Sequence, residues 1–109
     1  MKLYLRTGQA KLDAGFKDYI CRKVHVAFAK VKNRIGSVAI ILKQDDSLHG
    51  LFNKQCQVVV TFDNQEKVVL THTQSDYKAA VNIALRRAGR GVKKLIVKTA
   101  PSPKGIVYG

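Results

Sequence analysis

The chain has 109 residues, a length that suits one domain able to bury a core without staples. Lys and Arg number 20 against 7 Asp and Glu, a net charge of +13 that points to a polyanionic partner. No apolar run approaches the ~20 residues that span a bilayer, and MKLYLRTGQAKLD lacks a secretory apolar segment. The expected compartment is therefore cytoplasmic, where Cys21 and Cys56 stay reduced.

Residues 2–7 alternate, with Leu3 and Leu5 on one face and Lys2, Tyr4 and Arg6 on the other, which predicts a short strand. Gly8 to Lys11 reads as a turn. Residues 12–33 read as a long helix, because Phe16, Ile20, Val24, Ala27, Val31 and then Ile35 recur at three- to four-residue spacing. Asp13 suits its N-terminus, Lys30, Lys32 and Arg34 suit its C-terminus, and Gly36 is the expected stop signal.

Residues 37–43 (SVAIILK) form a buried strand rich in β-branched side chains, and 44–54 a polar loop around Gly50. Residues 55–62 (QCQVVVTF) make the clearest strand, with Cys56, Val58, Val60 and Phe62 facing one way. A turn at residues 63–66, where Asn64 tolerates left-handed backbone, leads into a returning strand over 67–72.

Residues 75–94 (SDYKAAVNIALRRAGRGVKK) predict an amphipathic helix, with Thr73, Ser75 or Asp76 as its N-cap. Val81, Ala84, Leu85, Ala88 and Val92 form its apolar stripe. Arg86, Arg87, Arg90, Lys93 and Lys94 fall on the opposite side. No Asp or Glu follows Asp76, so these cations have no acid to pair with at i,i+4, and an anionic partner relieves their repulsion. Gly89 and Gly91 weaken the helix interior or permit close packing. Residues 99–109 (TAPSPKGIVYG) read as a tail beyond a single domain at 1–98.

The order β-α-β-β-β-α predicts an α+β fold, a four-stranded sheet with both helices on one face. Lys17, Arg22, Lys23 and Lys30 of the first helix then join the cations of the last in one basic field.

Little points to catalysis. The acids are spread over loops and caps with no evident pair for acid–base work, and no Cys/His nucleophile has a marked orienting group. Cys21 and His25 share a helix face, and Cys56, His49 and His72 complete a conceivable zinc set, but no Cys-x-x-Cys knuckle supports one. Cys56, in phase with Val58 and Val60, reads as core. The expectation is no enzyme, no metal, no cofactor and no small-molecule substrate. With no Trp and no paired strand aromatics, contact with nucleic acid is expected through the phosphate backbone and shape rather than base stacking.

Three segments resemble the ribosome hibernation promoting factor family, also called ribosome-associated inhibitor or sigma-54 modulation proteins. SDYKAAVNIALRRAGRGVKK is similar to the family's Asp-x-Tyr-x-Ala-Ile-Asp helix with its basic run. HGLFNKQCQVVV is similar to a Gly-x-x-Asp-Lys-x-Cys-x-Val pattern, and MKLYLRTG to the family's first strand. Asn53 stands where the loop pattern has Asp, and Asn82 near the helix's usual acid. The likeness covers roughly residues 1–95 and is to a short member, without the second domain of long ones.

The resemblance implies the fold derived above. It also implies binding to the small ribosomal subunit and its RNA, in the channel for messenger and transfer RNA, with translation inhibited under stress. It carries RNA binding to Lys23, Lys30, Arg86, Arg87, Arg90, Lys93 and Lys94, and to Lys54 of the loop pattern. The competing expectation is a general double-stranded RNA or DNA binder. A membrane-surface role is weaker, because the apolar stripes are needed for the core.

Overall fold

Alternation of apolar and polar side chains builds the strands, and apolar stripes dock the helices. In the computed structural model, which describes residues 1–8, 12–45 and 53–99, the elements are β1 (Lys2–Arg6), α1 (Ala14–Ala27), a 3-10 turn (Lys32–Arg34), β2 (Ile35–Gln44), β3 (Lys54–Phe62), β4 (Lys67–Gln74) and α2 (Tyr77–Thr99). The sheet has four strands in the order β1-β2-β3-β4. β1 runs parallel to β2, while β3 and β4 are antiparallel neighbours. This is the α+β arrangement expected from the pattern.

Register puts Leu3, Val38, Val60 and Val68 in one cross-strand row, and Leu5, Ile40, Val58 and Leu70 in the next. Against these rows pack Ile20, Val24 and Phe28, together with Ala80, Val81, Ala84, Leu85, Ala88 and Val92 of α2. The alternate rows form the other face of the sheet. Tyr4, Ala39, Val59 and Val69 cross it in register.

Both helices are capped by the acids nearest their starts. Asp13 Oδ1 accepts from the Phe16 amide at 2.7 Å and Asp76 Oδ1 from the Ala79 amide at 2.7 Å. So Asp76 is the cap chosen from the three candidates, and α2 continues past Lys94 to Thr99. Gly89 and Gly91 do not interrupt it. A Cβ on Gly89 would meet the Ala27 carbonyl oxygen at 3.4 Å, so this glycine lets α2 approach the end of α1 closely.

Five local readings need correction. α1 ends at Ala27, short of residue 33. The Phe28 amide bonds to the Val24 carbonyl, then Val31 to Phe28 and Arg34 to Val31, so tight turns replace the helix. Phe28 stays fully buried and Val31 half-buried through these turns, which is why the apolar spacing continued. Gly36 is therefore no helix stop; it lies in β2, at a register shift against β3.

In the β3–β4 turn the left-handed residue is Gln65, with φ of 73°, and not Asn64. Asn64 instead accepts from the Glu66 amide through its side chain, at 3.0 Å. The loop reading over 44–54 gives up its ends to β2 and β3, and residues 46–52 fall outside the described residues. So do residues 9–11 and 100–109; Thr99, read as the start of the tail, is the last residue of α2.

Cys56 is fully buried, and burial pushes its thiol up to about 12. Cys21 is half-buried on α1. A thiol reagent at pH 8 should therefore modify one cysteine of the native protein and reach the second only on unfolding. Mass mapping should place the first modification on Cys21; fast labelling of Cys56 would contradict this packing.

Candidate nucleic-acid interface

The outer face of α2 carries the cations that the sequence places there. Arg86, Arg87, Arg90, Lys93 and Lys94 are all exposed. The fold then divides them. Arg86, Arg90 and Lys93 lie on the side facing α1, where they line a groove with Val26, Ala27, Leu85 and Gly89. The groove continues past Lys23 and Asn82. Among the described residues, no acid lines either stretch. Asp18, the interior acid of α1, is exposed and lines neither stretch; by helical phase it falls about 140° from Lys23 and about 80° from Val26.

Arg87 turns the other way, toward β4. Its guanidinium lies 3.4 Å from His72 Nδ1, and Lys94, seven residues on, shares its side of the helix. Lys30 is exposed in the turns that follow α1. Lys54 sits at the opposite end of α2 from Lys93. Its ammonium donates to Gln44 Oε1 at 2.7 Å and lies 5.9 Å from the centre of the Tyr77 ring. The eight expected RNA-binding residues are thus a groove set (Lys23, Arg86, Arg90, Lys93), an edge pair (Arg87, Lys94) and two outliers, Lys30 and Lys54, while Lys17 and Arg22 of the expected basic field are exposed on α1 and line neither stretch.

The groove's far end has features that charge counting missed. Tyr19 holds two ammonium groups near its ring, Lys23 at 5.6 Å and Lys78 at 5.0 Å from the centroid. Phe16 stacks beside it at 6.0 Å. The Tyr19 hydroxyl donates to Asn82 Oδ1 at 2.6 Å, tying α1 to α2. An aspartate at position 82 would accept the same bond but add a negative charge between Lys23 and Arg86. Asn82 therefore orients Tyr19 without neutralising the groove. Lys78 is eight residues before Arg86, and only the position of α1 shows that it joins Lys23.

His72 lies opposite Cys56 on the helix-facing side of β4. Its Nε2 is 3.1 Å from the Gln74 amide. The atom nearest Nε2 is the Gln74 side-chain nitrogen, and Arg87 faces Nδ1, so both neighbours are donors; only a neutral ring can accept from either of them. Desolvation, and secondly the Arg87 charge, hold His72 below the ordinary imidazole range.

Folding therefore excludes a proton that the unfolded chain takes up near pH 6.5. Stability from this site is fully present above that pH and falls as pH drops below it. The urea midpoint should decrease between pH 7.5 and 5.5, and His72→Gln should flatten the decrease. An unchanged pH profile in the variant would exclude His72 as its source.

Among the described residues, no three His, Cys, Asp or Glu side chains gather as a metal would need. The conceivable zinc set is dispersed. Cys56 belongs to the core, Cys21 and His25 lie on α1, and His49 is outside the described residues. No described helix is long and apolar enough to cross a membrane.

No protein-family profile matches the chain, and no curated protein matches its sequence. Solved structures do match its fold. A ribosomal subunit interface protein from Coxiella burnetii superposes with a TM-score of 0.74 at 12% identity, over 89% of this chain and 99% of that one. The N-terminal domain of Protein Y from Thermus thermophilus gives a TM-score of 0.70 at 19% identity, over 87% of this chain and 99% of that domain. The chain therefore has the fold of a ribosomal subunit interface protein and of the Protein Y N-terminal domain, with a cation-rimmed groove between its helices.

Proposed function

We propose that this chain is a ribosome-associated hibernation factor. It binds the small ribosomal subunit in the channel for messenger and transfer RNA and inhibits translation under stress by occupying that channel. The observation that carries this reading is the acid-free groove of Lys23, Arg86, Arg90 and Lys93, on a fold shared with a protein named for the ribosomal subunit interface. Such a surface suits ribosomal RNA phosphates, which position a protein without reading sequence.

The action is occupancy, with no bond made or broken, and the compartment it requires is the cytoplasm. Residues 1–98 supply the ribosome-binding unit. Arg87 and Lys94 extend the contact toward β4, while Lys30 and Lys54 reach RNA beyond the groove. The test is a reconstituted translation reaction titrated with the protein while its binding to small subunits is followed in parallel. Translation should fall in step with occupancy. Full occupancy with undiminished translation would overturn the inhibitory part of the reading.

A further inference from the structure

The groove has an apolar lining that phosphate binding alone does not use. Val26 is 75% exposed, and it lines the groove together with Ala27, Leu85 and the cations. A single exposed valine is ordinary on a protein surface; this one lines both stretches of a groove whose described lining holds four cations and no acid. The approach of Gly89 to the Ala27 backbone keeps the groove free of bulk at that point.

The two parts of the groove suit different parts of one ligand. Its rims attract phosphates. Its lining offers van der Waals contact to a flat or apolar group and no hydrogen bond from Val26, Ala27 or Leu85. A nucleotide has both parts, but in an A-form duplex the base faces are stacked inside and only edges, ribose and phosphate are presented. Packed helix axes lie about 8–10 Å apart, so a rigid duplex would bridge the rims without filling the groove. An unpaired strand can turn a base or ribose inward while its phosphates stay on the rims.

The geometry points to the α1–α2 groove as a binding site for single-stranded RNA, with an unpaired nucleotide packed on Val26 and its flanking phosphates held by Lys23, Arg86 and Arg90. This rests on the ribosome reading only for where such RNA would be met; the groove's preference is a property of the isolated protein. It also revises the expectation of backbone contact alone, since one apolar contact to the nucleotide is added.

The experiment measures binding of a short labelled single-stranded RNA and a duplex of equal length to the full chain, at two salt concentrations. Val26→Ser, Val26→Leu and Arg86→Glu are compared with the unsubstituted protein. The unsubstituted protein should prefer the single strand. Val26→Ser should weaken single-strand binding roughly tenfold, the scale of one buried valine side chain, leave duplex binding unchanged and keep the salt dependence. Val26→Leu should retain the affinity. Arg86→Glu should weaken both ligands and flatten the salt dependence.

Equal binding of both ligands, or Val26→Ser indistinguishable from the unsubstituted protein, overturns the proposal. Because Val26 is exposed, its truncation leaves the core intact, and circular dichroism of the variant checks this. Co-sedimentation with small subunits separates the two readings. Subunit binding that survives Val26→Ser unchanged removes the groove contact and leaves the hibernation reading. Single-strand preference without subunit binding does the reverse.

Discussion

Replacing Arg86, Arg90 and Lys93 together with Glu should lower affinity for the small subunit by on the order of a thousandfold at low salt. Each loses an exposed charge contact of about 1–1.5 kcal/mol, with some repulsion added. All three are exposed and line one groove, so the fold should be unaffected. The slope of log affinity against log salt should fall by about 2, at ~0.7 per phosphate contact. Arg87→Glu with Lys94→Glu removes the edge pair and should cost less, within about tenfold, because the Arg87 guanidinium is engaged with His72. Binding by the triple variant equal to that of the unsubstituted protein would remove the groove from the interface.

Phe28→Ala should be the most damaging single change to stability. Phe28 heads the fully buried side chains by volume, and it caps α1 where the chain turns toward β2. Truncating a buried Phe costs about 3–5 kcal/mol, through lost burial and the cavity left behind. A domain of this size has about 5–15 kcal/mol in total, so a melting-temperature decrease on the order of 15 °C is expected. Urea unfolding measures it; a loss below 1 kcal/mol would mean that the site collapses around the smaller side chain.

The sheet was legible because alternation and register agree. Cys56, Val58, Val60 and Phe62, assigned to one face from spacing alone, are all buried. The stripe of α2 was equally plain, since Val81, Ala84, Leu85, Ala88 and Val92 all reach the core. The end of α1 was not. Apolar side chains at Phe28, Val31 and Ile35 stay inward through turns and into a strand, and periodicity cannot separate that path from a continuous helix.

The candidate site was half legible for a related reason. Cations on one face of α2 follow from helical phase. The side on which α1 lies is a tertiary fact, and it decides that Arg86 lines the groove while Arg87 meets His72. The Tyr19–Asn82 bond joins residues 63 positions apart, so no local pattern announces it. Val26 gave no signal either, because an exposed valine becomes part of a site only once a second helix stands beside it.

The most direct test of the central claim is sedimentation of the purified protein with isolated small subunits, with free duplex RNA as competitor. Saturable binding that equimolar duplex does not displace is the expected result. Unsaturable binding, or equal capture by any duplex, would show that the net charge of +13 acts alone, and would contradict the account.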